Sequence, residues 1–64
     1  MYLIYAHQKT NPEKVINIRI GFKNQDNATK AADTANKIAA SDTHWCVLTE
    51  QEYNQRVEAG TLKP

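Results

Sequence analysis

Val15-Ile16-Asn17-Ile18-Arg19-Ile20-Gly21-Phe22 alternates apolar and other side chains almost without a break. Successive side chains of a β-strand point to opposite faces. The stretch therefore predicts a strand with Ile16, Ile18, Ile20 and Phe22 on one face and Asn17, Arg19 and Gly21 on the other. The isoleucine face is expected to meet the core, since slipping by one residue would expose every one of these side chains. Gly21 inside a strand marks a bulge or a close backbone approach.

Upstream, Tyr2-Leu3-Ile4-Tyr5-Ala6 is apolar and aromatic without alternation, the signature of a strand covered on both sides. Lys9-Thr10-Asn11-Pro12-Glu13-Lys14 reads as a polar turn in which Pro12 stops the pairing. Downstream, the loop 23–27 offers Asp26 or Asn27 as a helix cap. From Ala28 the period becomes helical: Ala28, Ala31, Ala32, Ala35, Ile38 and Ala39 form one stripe, opposite Lys30, Asp33, Thr34, Lys37 and Ser41. Asp33 and Lys37 add a favourable i,i+4 pair. Ser41-Asp42-Thr43 ends the helix, and His44 to Leu48 forms a third strand. Thr49-Glu50-Gln51-Glu52 has the T-x-x-E form of a capping box, with Leu48 and Tyr53 placed as a hydrophobic staple. The second helix is short, ends at Gly60, turns Tyr53 and Val57 inward, and lets Leu62 fold back onto them.

Two antiparallel strands followed by a right-handed crossover helix give strand order 2-1-3. The expected fold is thus α+β: one domain over residues 1–64 with β-β-α-β-α connectivity, a three-stranded antiparallel sheet, one long helix and one short helix. The long helix is expected to cover the isoleucine face and to leave the other face of the sheet bare. That bare face would show Asn17 and Arg19 from the second strand. From the first it would show Tyr5 and His7 or else Tyr2 and Ile4, and from the third His44 and Cys46 or else Trp45 and Val47. An exposed surface so rich in aromatic and apolar groups marks a contact surface.

Composition restricts the chemistry. With 64 residues, one cysteine and a formal charge of +1, the chain has a thin core, no internal disulfide and no strong pull toward polyanions. A lone cysteine fits a reducing compartment, and a cytoplasmic protein is expected. No run approaches the ~18 apolar residues of a membrane span, and Met1 leads into patterned sequence as in a whole small gene product without a leader. Residues 1–37 carry +3 and residues 38–64 carry −2, a modest dipole that can orient docking. His7, His44 and Cys46 are the only soft or imidazole ligands, without CxxC or HxxxH spacing, so no metal or other cofactor is expected. Cys46 lies between Trp45 and Val47, surroundings that raise a thiol's pKa, and reads as a packing residue rather than a nucleophile. Glu50, Glu52 and Glu58 fall on the short helix, and the glycines form no phosphate loop. A non-enzymatic protein is expected.

Two binding classes are consistent with this pattern. The leading one is contact with a protein partner, through the sheet face as a homodimer or through strand addition at the edge of 15–22, with Tyr2, Tyr5, Asn17, Arg19 and Trp45 as partner-binding residues. The alternative is a single-stranded nucleic-acid-binding module that stacks bases on tyrosine or Trp45 and tracks phosphate with Arg19, Lys9 and Lys14. In size and in its abundance of Asn, Gln and Lys, the chain resembles small accessory proteins of bacteria, phages and mobile elements. Many of those bind and modulate a larger protein, so the resemblance implies a regulator or inhibitor of a protein partner.

Overall fold

β1 (Tyr2–Gln8) is the strand on which the rest is assembled in the computed structural model, which describes Met1–Pro64. β2 (Asn11–Phe22), α1 (Gln25–Ile38), β3 (Thr43–Thr49) and α2 (Glu50–Glu58) come after it in that order. β1 pairs antiparallel with both other strands, giving the sheet order β2-β1-β3. This is the expected α+β topology, and the unalternating apolar run explains it. Leu3, Ile4 and Ala6 are 1% exposed and Tyr5 is 5% exposed, a degree of burial open only to a central strand covered on both faces.

The two faces of β1 feed two separate cores. Leu3 and Tyr5 pack with Tyr53 of α2 and with Leu62, while Ile4 packs with Ala28 and Ala32 of α1. Each face of the sheet therefore carries a helix, and the expectation of one bare face is overturned. Local signals at both ends of α2 account for its reach. Its N-cap is Thr49, whose Oγ1 accepts from the Glu52 N–H at 3.1 Å, as the capping box requires. At its other end Gly60 takes φ +78°, the Gly60 N–H donates to the Val57 carbonyl at 3.1 Å, and the Thr61 N–H donates to the Arg56 carbonyl at 2.9 Å. That pair of bonds is a Schellman turn. It swings Leu62 back into the core and lays Lys63 along β2. There the Lys63 N–H donates to the Glu13 carbonyl at 2.7 Å, and the Val15 N–H donates to the Lys63 carbonyl at 2.9 Å.

The alternation of β2 is broken twice. Ile18 lies opposite Tyr5 but Val15 lies opposite His7, so Ile16 is an extra residue. Ile20 lies opposite Leu3 but Phe22 lies opposite Tyr2, so Gly21 is another, at φ +109°. Each bulge reverses the parity of the residues beyond it. Val15 and Ile18 accordingly pack on the α2 side and Phe22 on the α1 side. Ile16 and Ile20 remain 45% and 61% exposed. The four apolar residues thus do not share a face, and α1 covers the Phe22 side of β2 instead of the isoleucine side. The strand also starts earlier than the sequence suggests, after a turn at Lys9-Thr10. Pro12 sits inside it without cost, because the pairing with β1 skips from Asn11 to Val15.

α1 is capped by Asn24 rather than Asp26 or Asn27: the Asn27 N–H donates to Asn24 Oδ1 at 2.9 Å. Phe22 is still paired in the sheet, so Asn24 is the first polar residue free to cap, and Asp26 becomes an acid of the first turn. The helix ends at Ile38, with Ala39 already extended. Ala28 and Ala32 face the sheet, 0% and 4% exposed. One helical step further along the same line, Asn36 meets the outer edge of β3. Its Nδ2 donates to the Trp45 carbonyl at 3.2 Å, and its Oδ1 accepts from the Trp45 N–H at 2.8 Å. One side chain thereby satisfies both main-chain groups that a neighbouring strand would otherwise use. Ile38, expected on the inward stripe, is 84% exposed instead.

Candidate functional site

α1 rests chiefly over β3 and β1. Because Asn36 anchors it toward the outer edge of β3, the β2 side of the same sheet face is left partly uncovered. The result is an open groove of ≈ 610 Å³. Its floor is Ile4, Trp45 and Arg19; Ala31, Ala35 and Ile38 form the helical wall. Helical spacing explains the wall. Residues 28, 32 and 36 point at the sheet, so residues 31, 35 and 38 point sideways, across the opening. Alanine at 31 and 35 keeps the wall low, and Ile38 stands free at its end.

Arg19 gives the groove its charge. β2 places Arg19 opposite Ile4, and its guanidinium carbon lies 6.0 Å from the centroid of the Trp45 ring. That is the outer range of a cation–π contact, which steadies the side chain without burying its donors. Lys30 is the other charged group lining the groove, and no acidic side chain lines it. The site is therefore an apolar channel with a cationic rim.

The five residues expected to bind a partner are divided between the faces. Arg19 and Trp45 come together in the groove, with Trp45 half-buried. Tyr2 is half-buried on the same face, packed beside Ile4. Asn17 is exposed near by, where its Oδ1 accepts from the Ile18 N–H at 2.9 Å. Tyr5 is buried on the opposite face, against α2. The edge of β2, expected to be open for strand addition, is covered at two places, by Lys63 at Glu13–Val15 and by the Asn17 side chain at Ile18. The α1 wall is the part that sequence reasoning missed, and Ile38 was a visible signal for it. It is the one bulky residue in a stripe of alanines.

The opposite face holds a polar cluster under α2. The His7 Nδ1 donates to the Gln8 carbonyl at 2.9 Å, since a carbonyl only accepts. His7 Nε2 lies 3.4 Å from Cys46 Sγ, within hydrogen-bonding distance of the sulfur. Burial pushes the Cys46 thiol above its ordinary 9.0, with Tyr5 and Arg56 opposing. Burial also raises the Tyr5 phenol above 10.0; Cys46 adds to the shift and Arg56 reduces it. A thiol held protonated in this way is a packing group and a poor nucleophile at neutral pH. The His44 ring lies edge-on to His7 at 5.6 Å, yet no three His, Cys, Asp or Glu side chains converge on a point where they would hold a metal ion. No helix is long and apolar enough to cross a membrane. Comparison with known protein families, curated proteins and solved structures finds no match.

Proposed function

We propose that this is a small, non-enzymatic, cytoplasmic binding protein that modulates or inhibits a protein partner by docking through the α1 groove. The observation that carries the reading is the groove itself: an open apolar channel with Arg19 braced on Trp45 and Ile38 standing 84% exposed at its end. Trp and Arg are the side chains that most often anchor protein contacts. A bulky aliphatic group left in water beside them is a further contact in waiting. The sheet through whose bare face the sequence suggests a homodimer carries a helix on each side.

The nucleic-acid alternative loses support for a related reason. Base stacking needs an exposed aromatic platform, whereas Tyr5 and Tyr53 are buried and Tyr2, Phe22 and Trp45 are half-buried. The docking reading is tested by a photo-crosslinking amino acid at position 38, with a second at Glu58 on α2 as control, in cells that naturally contain the protein. A discrete adduct is expected from position 38, lost when Arg19→Glu is added and absent from position 58. Equal labelling from both positions would refute docking at the groove.

A further inference from the structure

We infer that the groove takes an acidic amphipathic segment of another protein: an apolar side chain lodged between Trp45 and Ile38, with flanking carboxylates on Arg19 and Lys30. The inference rests on the docking reading and adds the chemistry of the partner. Charge complementarity is its first support. Arg19 and Lys30 are the charged side chains lining the groove. The nearest acid along β2, Glu13, is engaged elsewhere, 3.8 Å from Lys63. An arginine already oriented by Trp45 offers a carboxylate a charge-assisted, two-pronged hydrogen bond at a small entropic cost. The apolar wall of Ala31, Ala35 and Ile38 supplies the remainder, through burial that a free carboxylate ion could not exploit.

A second copy of the chain is a poor occupant. Two grooves brought face to face would set Arg19 and Lys30 against their own images. The acidic surface of the chain is the outer face of α2, whose own apolar side chains, Tyr53 and Val57, both turn inward. Strand addition is also disfavoured. Asn36 blocks the β3 edge at Trp45, Lys63 covers β2 at Glu13–Val15, and the bulges at Ile16 and Gly21 bracket what is left. The partner is therefore held by side chains in the groove rather than by main-chain pairing.

Trp45 is the single tryptophan and lies in the groove floor, so its fluorescence reports occupancy directly. The probes are short synthetic peptides that share Leu and Phe anchors and carry Glu, Gln or Lys between them, with a poly-dT oligonucleotide alongside. The Glu peptide is expected to bind roughly tenfold tighter than the Gln peptide. Added salt, Arg19→Glu and Lys30→Glu should each erode that advantage, in variants whose circular dichroism matches the parent. If the Gln or Lys peptide binds as tightly as the Glu peptide, the acidic partner is refuted and docking at the groove stands. Tighter binding of poly-dT would refute it in favour of nucleic acid. If no probe changes Trp45 fluorescence even at millimolar concentration, both the partner chemistry and the docking reading fall.

Discussion

The two faces of this sheet are served by helices that work in opposite ways. α2 is short and poor in apolar residues, yet Tyr53 and Leu62 lie on Leu3 and Tyr5, with Val15, Ile18, Leu48 and Val57 around them. The hollow left beside it, ≈ 440 Å³, has both signs of charge on its lining, from Glu13 and Arg56. α1 is longer and lined with alanine, yet it leaves a channel beside it. Helix length is therefore not what decides cover. Two large side chains and a glycine turn that brings the chain back let the short α2 bury the centre of its face, as the longer α1 does with a stripe of methyl groups. The alanine stripe has a different consequence, since it lets α1 approach the sheet closely over β3 while leaving open space toward β2. The surface suited to recognition lies beside α1, where the lining is apolar and its charge all cationic.

The sharpest way to break this contrast is to hollow each core at the residue nearest its centre. Leu3 and Ile4 are adjacent and equally buried, but Leu3 faces α2 and Ile4 faces α1. Leu3→Ala is expected to cost about 3–5 kcal/mol, because Leu3 borders neither opening and its surroundings cannot collapse around the missing atoms. Against the ~5–15 kcal/mol of an ordinary domain, in a chain this small, that leaves a substantially unfolded population. Ile4→Ala is expected near the low end, about 2–3 kcal/mol, since Ile4 already borders the open groove. Urea denaturation of both variants measures the difference. Equal losses would mean that the two faces are equally sealed.

Enlarging residues within the alanine stripe gives the next largest effect. Ala28 is 0% exposed against Ile4, so Ala28→Leu must lift α1 off the sheet, at about 1–3 kcal/mol. Ala35 faces the groove, and Ala35→Leu has space to occupy; a change within about 0.5 kcal/mol is expected. Thermal denaturation of the pair separates the packed line of the helix from its free flank. A comparable loss from Ala35→Leu would place that residue in the core rather than in the groove wall.

How far the sequence reaches is clear at particular residues. The element order, the central place of β1, the Thr49 capping box, the Gly60 turn and the return of Leu62 can all be read from local chemistry, because each depends on a few neighbouring side chains. The assignment of faces cannot. Gly21 signals a bulge by itself, but its effect on Phe22, and that of the unsignalled bulge at Ile16, appear only once β1 is paired opposite. The bare face is an error of synthesis: an unalternating run in Tyr2–Ala6 already implies cover on both sides. Asn36 is legible in part, as a polar residue in register with Ala28 and Ala32, but the strand edge it caps is a tertiary fact. Of the groove, Arg19 and Trp45 stand out in the sequence as contacts, while the wall opposite them depends on where α1 lies.

The cluster under α2 makes the contrast dependent on pH. Cys46 and Tyr5 hold their protons more tightly in the folded chain than in the unfolded one, chiefly because burial disfavours the charged forms. As pH rises past 9.0, the ordinary value for the thiol, the unfolded chain gives up its proton first and unfolding becomes progressively easier. The contribution of these groups is thus fully present below 9.0 and is lost as the pH climbs through their raised folded values. Denaturation midpoints measured from neutral to alkaline pH should be level at first and then fall. Cys46→Ala should delay the fall toward 10.0, where Tyr5 begins to contribute. An unchanged onset would show that the thiol is as free to ionise in the folded chain as in the unfolded one.

Ile38→Ser should have the smallest effect on the fold and is the most informative about the site. At 84% exposure the side chain gives the native state almost nothing, so stability is expected to change by less than about 0.5 kcal/mol. A structural role and a recognition role make opposite forecasts here. If Ile38 anchors a partner at the end of the groove, Ile38→Ser leaves the melting curve in place and weakens occupancy of the groove as read by Trp45 fluorescence. Removing a buried aliphatic anchor is worth about 1–3 kcal/mol at an interface, or roughly 5- to 150-fold in affinity. A loss of more than about 1 kcal/mol in stability would instead show that Ile38 packs against its own chain in solution. The groove would then be smaller than 610 Å³, and the contrast between the two faces would shrink.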